Sequence, residues 1–132
     1  MKIIFIVTRS ITFNTFLKSQ ANFLLSKGFK VEVVCSDIKK LNFKKNRTYE
    51  IDFPTKMLSF LNIINLIKIY LQINLLIKKN PNAIFYTHTP VASHFFRMFT
   101  FFRKLKIIYF VHGFRFNSKK YDLKNLFFKV LE

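Results

Sequence analysis

The stretch 84-IFYTHTPVASHFFRMF-99 sets the fold class. Ile84 to Thr87 is an unbroken apolar and β-favouring run, as in a strand covered on both faces. Thr89 suits a helix N-cap, and Pro90 suits the first helical position, where its missing N–H leaves no donor unsatisfied. The phenylalanine-rich run that follows reads as a helix to about Lys104, with Ser93, Arg97, Thr100 and Lys104 as its polar stripe. A strand running straight into a helix is the unit of an α/β sheet, and His88 stands at the junction.

The same alternation extends in both directions. Ile3 to Val7 is a branched apolar run. In the helix-like segment after it, Phe13, Phe16, Leu17, Ala21 and Leu24 recur at helical spacing, and Gly28 is placed to cap it. KVEVVCS is a second strand, LNFKKNR a charged loop, and TYEIDF a short third strand ended by Pro54. A long helix over Met57 to Lys79 carries Ser59, Asn62, Asn65, Lys68 and Gln72 as one narrow polar stripe on an otherwise apolar cylinder. KIIYFVH is a fifth strand and LKNLFFKVLE a final helix. Unbroken apolar strands alternating with helices predict a Rossmann-like, three-layer α/β domain. Its mostly parallel sheet has about five strands, with helices on both faces. Ligands of such sheets bind at the carboxyl ends of the strands. Thr8 and Arg9, His88 and Thr89, and His112 all fall at such ends.

The 132 residues suffice for one domain with a core. The formal charge of +17 admits two readings. One is compositional drift with a solvated basic surface; the other is attraction to an anionic membrane face or a nucleic acid. No RNA-binding or zinc-finger pattern accompanies the charge, which disfavours nucleic acid. The phenylalanines of 95 to 102, beside Arg97, Arg103 and Lys104, read either as core or as an anionic-interface face. The long helix is interrupted by Lys68 and several amides. It reads as a core helix whose exposed part lies on a membrane rather than as a span. The single Cys35 excludes an internal disulfide, fits a reducing compartment, and reads as a small buried hydrophobe. The N-terminal apolar run is too short for a signal peptide, so a cytosolic location is expected.

The first strand-end loop, TRSITFN, has no glycine, and the chain has two in all. A pyrophosphate therefore has no glycine-rich turn to approach, and nicotinamide and flavin cofactors are set aside. Asp37 reads as a cap or turn residue. The three histidines have neither metal-ligand spacing nor an acidic cluster, so no metal site is expected. The six carboxylates, Glu32, Asp37, Glu50, Asp52, Asp122 and Glu132, give no triad with them.

YTHTPVAS after one strand and YFVHGFRF after the next, in that order and behind an opening that ends LLSKGFKVEVVCSD, resemble the N-terminal domain of retaining GT-B glycosyltransferases of family four. The resemblance covers nearly the whole chain. It implies metal-free transfer of a sugar from a nucleotide-sugar to an acceptor, often a lipid carrier or a growing glycan. In that family this domain holds the acceptor and a second domain holds the donor. By matching motif, His112 is the catalytic residue near the transferred sugar, with Gly113 beside it on the substrate. His88 and Thr89 line the acceptor side, and Arg9 stands where a phosphate could be met. The second domain's acidic motif has no counterpart here. The expectation is an incomplete acceptor-side domain, inactive alone, working with a donor domain or a second chain at the inner face of a membrane. The alternative is a non-catalytic basic protein that docks on a membrane or a partner.

Overall fold

A computed structural model describes residues 1–43, 48–54 and 63–110. Five strands, β1 (Lys2–Ile6), β2 (Lys30–Cys35), β3 (Thr48–Glu50), β4 (Ile84–Thr87) and β5 (Lys106–Tyr109), form one sheet in the order β3-β2-β1-β4-β5. Every pairing is parallel. β1 sits at the centre, with Phe5 in register with Val33 on one side and Tyr86 on the other. From β1 the chain builds outward to β3, then returns and builds the other way through β4 and β5. The direction reverses between β1 and β4, and this is the crevice position of a doubly wound sheet.

Helices cover both faces. On one face lie α1 (Ser10–Thr12), a π turn (Phe13–Leu17) and α2 (Lys18–Ser26), packed through Phe13, Leu17 and Ala21 onto Ile3, Phe5, Val7, Val31 and Val33. On the other lie α3 (Ile63–Lys79) and α4 (Pro90–Thr100), packed through Ile69, Ile73, Phe95 and Phe96 onto Ile4, Ile6, Val34 and Phe85. Alternate residues of β1 feed the two cores, because successive side chains of a strand point to opposite faces. Cys35 is fully buried in the first core, and burial pushes its thiol up to about 11, so it is inert at neutral pH. At the amino end of the sheet Lys2 pairs with Glu32 at 2.7 Å and donates to Asn80 Oδ1 at 2.7 Å.

The turn after α2 explains its end. Gly28 adopts φ +82°; its N–H donates to Leu25 O at 3.0 Å, and Phe29 N–H donates to Leu24 O at 3.1 Å. This is a Schellman motif with glycine in the left-handed position.

Several expectations are corrected. The third strand stops at Glu50; Ile51 and Phe53 continue as irregular chain with buried side chains. α4 ends at Thr100 rather than near Lys104. Ser93 and Thr100 are buried, not on a solvent stripe, and Thr100 Oγ1 donates to Phe96 O at 2.7 Å, which satisfies its hydroxyl inside the helix. Phe16 is exposed: the π turn shifts the helical phase so that Phe13 and Leu17 take the core positions. Phe95 and Phe96 are core, as one reading of the aromatic run expects, while Phe101 and Phe102 are exposed. His94, on the outer side of α4, is half-buried, and its pKa is held below the ordinary value by burial and by Arg97. The loop residues 44–47, the start of the long helix and the final helix lie outside the described residues.

A Cβ added at Gly28 meets nothing within 4 Å, so a side chain there is opposed by the backbone angle alone. Gly28→Ala is expected to destabilise the fold by about 1 kcal/mol in urea unfolding, and Gly28→Asn by less. An unchanged Gly28→Ala would contradict the motif.

Candidate functional site

The crevice is built by the loops that leave β1 and β4. Both strands end in threonine-bearing turns because the apolar runs stop there: Val7 is the last fully buried residue of the first, and Thr87 and His88 close the fourth. The loops are tied directly. Thr8 N–H donates to Thr89 Oγ1 at 2.8 Å, and the two hydroxyls lie 2.7 Å apart. His88 N–H donates to Ile6 O at 3.0 Å and extends the ladder one step past the strands. Thr89 takes the N-cap position of α4 with extended backbone, and Pro90 opens the helix, as the sequence predicts. Its hydroxyl makes no capping bond to its own helix; it serves the neighbouring loop instead.

The other wall is the start of the first helix. Ser10 N–H donates to Asp37 Oδ1 at 2.6 Å, so a carboxylate from the loop after β2 occupies the first turn of that helix. This is where a doubly wound dinucleotide site places its phosphate. Here the Asp37 carboxylate of the chain itself accepts the Ser10 N–H at that position. Asn14 fixes the same loop, donating from Nδ2 to Lys40 O at 3.0 Å and accepting from Asn42 N–H at 2.9 Å.

The sequence-predicted residues divide. Thr89 and Arg9 come together: Arg9 adjoins Thr8 at the mouth of the crevice, with extended backbone and an exposed side chain. His88 is on the same rim by backbone, but its ring is only 2% exposed and does not open into the crevice. It stacks on Phe5 (centroids 5.5 Å apart, planes at 9°) and touches Tyr86 at 4.2 Å and Phe110 at 5.8 Å. His112 and Gly113 lie outside the described residues. Phe110 leads toward them, its N–H bonded to Thr87 O at 2.9 Å. Among the described residues no group of three His, Cys, Asp or Glu side chains could hold a metal ion.

Thr8 and Asp37 are the site residues whose roles sequence reasoning did not resolve. Both partners lie far away in the chain, 81 residues for Thr8 and 27 for Ser10, so no local pattern announces either bond. The available signal was position: polar residues directly after apolar strands.

Removing the Thr89 hydroxyl strands Thr8 N–H, so Thr89→Ala should cost about 1–2 kcal/mol in urea unfolding and speed exchange of the Thr8 amide. Thr89→Ser should remain close to the native protein in both. If Thr89→Ala leaves both unchanged, the two loops are not joined as described.

The profile of the glycosyl transferase 4-like family matches residues 2–131. A comparison with curated proteins finds no match. With its all-parallel Rossmann-like sheet and a match across nearly its entire length, the chain belongs to the glycosyl transferase 4-like family, which supports a glycosyltransferase-type function.

Proposed function

We propose that the chain is the acceptor-side domain of a retaining glycosyltransferase that moves a sugar from a nucleotide-sugar to a lipid-linked or glycan acceptor. Such a reaction belongs to the assembly of cell-surface polysaccharide or glycolipid. The observation that carries the reading is the crevice between β1 and β4. Its floor is closed by the Thr8–Thr89 bond, the helix terminus that would take a nucleotide's phosphate is already neutralised by Asp37, and Arg9 is left exposed at the mouth. The site thus favours one anionic group at its rim over a dinucleotide in its depth.

In this reading the residues have separate tasks. Arg9 pairs with the phosphate of a lipid-linked acceptor through a charge-assisted, two-pronged contact. Thr8 and Thr89 hold the two loops at fixed separation, so that the acceptor hydroxyl is presented in one orientation. His88 supports the floor from below through its aromatic stack and acts by positioning. His112, by its matching motif, lies beside the sugar being transferred, with Gly113 allowing close approach of the chain. The nucleotide-sugar is held by a separate donor-binding domain or chain, and the reaction needs no bound metal.

Calorimetry tests this division. A short-chain prenyl-phosphate-linked sugar should bind saturably, and Arg9→Ala should weaken it by about 10- to 100-fold, the equivalent of one hydrogen bond to a charged group. A panel of nucleotide-sugars should show no saturable binding to this domain. Micromolar binding of a nucleotide-sugar, or acceptor binding indifferent to Arg9, would contradict the assignment. Combined with its donor domain, the His112→Ala protein should lose transfer while keeping its melting temperature.

A further inference from the structure

α3 has two apolar faces, and the fold uses one. Ile69, Ile73, Leu76 and Ile77 face the sheet and are buried. At 100° per residue, Ile64, Ile67, Leu71 and Leu75 fall on the opposite side, where each is more than half exposed and Ile64 is 77% exposed. A surface helix of a water-soluble domain ordinarily turns charge, not a second aliphatic stripe, to the solvent. The asymmetry of the polar residues is equally specific. Gln72 turns toward β3, donating to Glu50 O at 3.3 Å, so the amide side of the cylinder serves the sheet edge and the aliphatic side faces outward. α4 lies in the same layer, touching α3 through Tyr70 and Phe99 with ring centroids 5.5 Å apart. Just past its end Phe101 is exposed and Phe102 is 97% exposed.

The charges on α3 and just after α4 are of one sign, and the two carboxylates near α3, Glu50 and Asp52, lie on its β3 side, beside Leu75 and Asn65. No aspartate or glutamate occurs anywhere between Asp52 and Asp122. Lys68 and Lys79 flank the stripe on α3, Lys78 stands in line with it at its carboxyl end, and Arg103 and Lys104 follow the two phenylalanines. We infer that the outward face of α3, with Phe101 and Phe102, docks flat on an anionic lipid bilayer. The aliphatic stripe would enter the boundary between headgroups and acyl chains, and the cations would pair with lipid phosphates at its margin. The dimensions suit this: a 17-residue helix is about 25 Å long, and its lysines reach the headgroup layer while their stems stay on the apolar surface. No helix among the described residues is long and apolar enough to cross a membrane; in the docked arrangement α3 would lie along the surface.

Charge complementarity selects this occupant. A second copy would set Lys68, Lys78 and Lys79 against their own counterparts, with Glu50 and Asp52, at the β3 margin, as the carboxylates near each face among the described residues. A nucleic acid would meet aliphatic carbon at the centre of the patch, where it needs cations or stacking rings. A bilayer with anionic headgroups needs apolar groups at the centre and cations at the rim. The inference concerns a surface away from the β1–β4 crevice and does not rest on the acceptor reading.

Sedimentation of the full chain with phosphatidylglycerol or phosphatidylcholine vesicles, at low and high salt, tests it. The native protein should pellet with phosphatidylglycerol and far less with phosphatidylcholine, and salt should release it. Ile67→Ser/Leu71→Ser should lower the partition coefficient by about 100-fold, roughly tenfold per inserted side chain. Ile64→Ser/Leu75→Ser, from the same face, repeats the test. Lys68→Gln/Lys78→Gln should lower it by about 30-fold and flatten the salt dependence. Circular dichroism checks that each variant keeps its helices. The inference is overturned if the native chain ignores phosphatidylglycerol or binds both lipids equally. It is also overturned if either serine pair, still folded, binds like the native protein, or if the face forms a lipid-independent dimer that the serine pairs dissolve.

Discussion

Everything in this domain depends on β1 being covered on both faces and paired on both edges. Ile4 and Ile6 enter the core under α3 and α4; Ile3, Phe5 and Val7 enter the core under α1 and α2. β2 and β4 are also paired on both edges, but each pairs with β1, which alone joins the β2–β3 half of the sheet to the β4–β5 half. A polar residue within Ile3–Val7 would face a packed interior whichever way it pointed, and burying such a group without a partner costs several kcal/mol. The run must therefore be apolar throughout, and where it stops, at Thr8, polar groups first become available at the carboxyl edge. The crevice follows from that stop. The chain leaves β1 on one side to build β2 and β3 and returns on the other to build β4 and β5, so the helices after β1 and β4 run to opposite faces and the crevice position lies at the strand ends between them.

The two strand ends are joined there by small, local means. The hydroxyl of Thr89 would ordinarily cap its own helix; lent to Thr8, it fastens one strand end to the other. Asp37 caps the first helix from a different loop, joining the β2 side of the crevice to the same rim. The aromatic stack of Phe5, Tyr86, His88 and Phe110 lies beneath, on the α1–α2 side of the sheet. In the proposed reading, this floor and the exposed Arg9 above it hold the acceptor in one orientation.

The fold was largely legible in the sequence, for a simple reason. A strand of a parallel sheet, covered on both faces, reads as an unbroken apolar run, and the glycine at position 28 marks a helix end that only a left-handed residue makes easily. What was not legible depends on partners distant in the chain or on polar groups satisfied locally. Thr100 and Ser93 look like a solvent stripe because spacing reports only which residues share a face; Thr100 is buried because its hydroxyl bonds to a carbonyl one turn back. The early end of β3 has no sequence mark, since Ile51 and Phe53 are as apolar as a strand yet serve the core from irregular chain. At the site, position identified Arg9, His88 and Thr89 as strand-end residues. The burial of His88 did not follow from position, because its ring packs among those of Phe5, Tyr86 and Phe110.

The central claim is that the β1–β4 crevice receives the acceptor. Amide chemical-shift mapping during titration with a short-chain prenyl-phosphate-linked sugar tests it most directly. The account predicts shifts concentrated at Thr8, Arg9, Ser10, Thr89 and Val91, with the amides of β3 and the middle of α2 unmoved. Shifts concentrated instead along the β3–α3 seam around Glu50 and Gln72, with Thr8 and Thr89 unmoved, would contradict it.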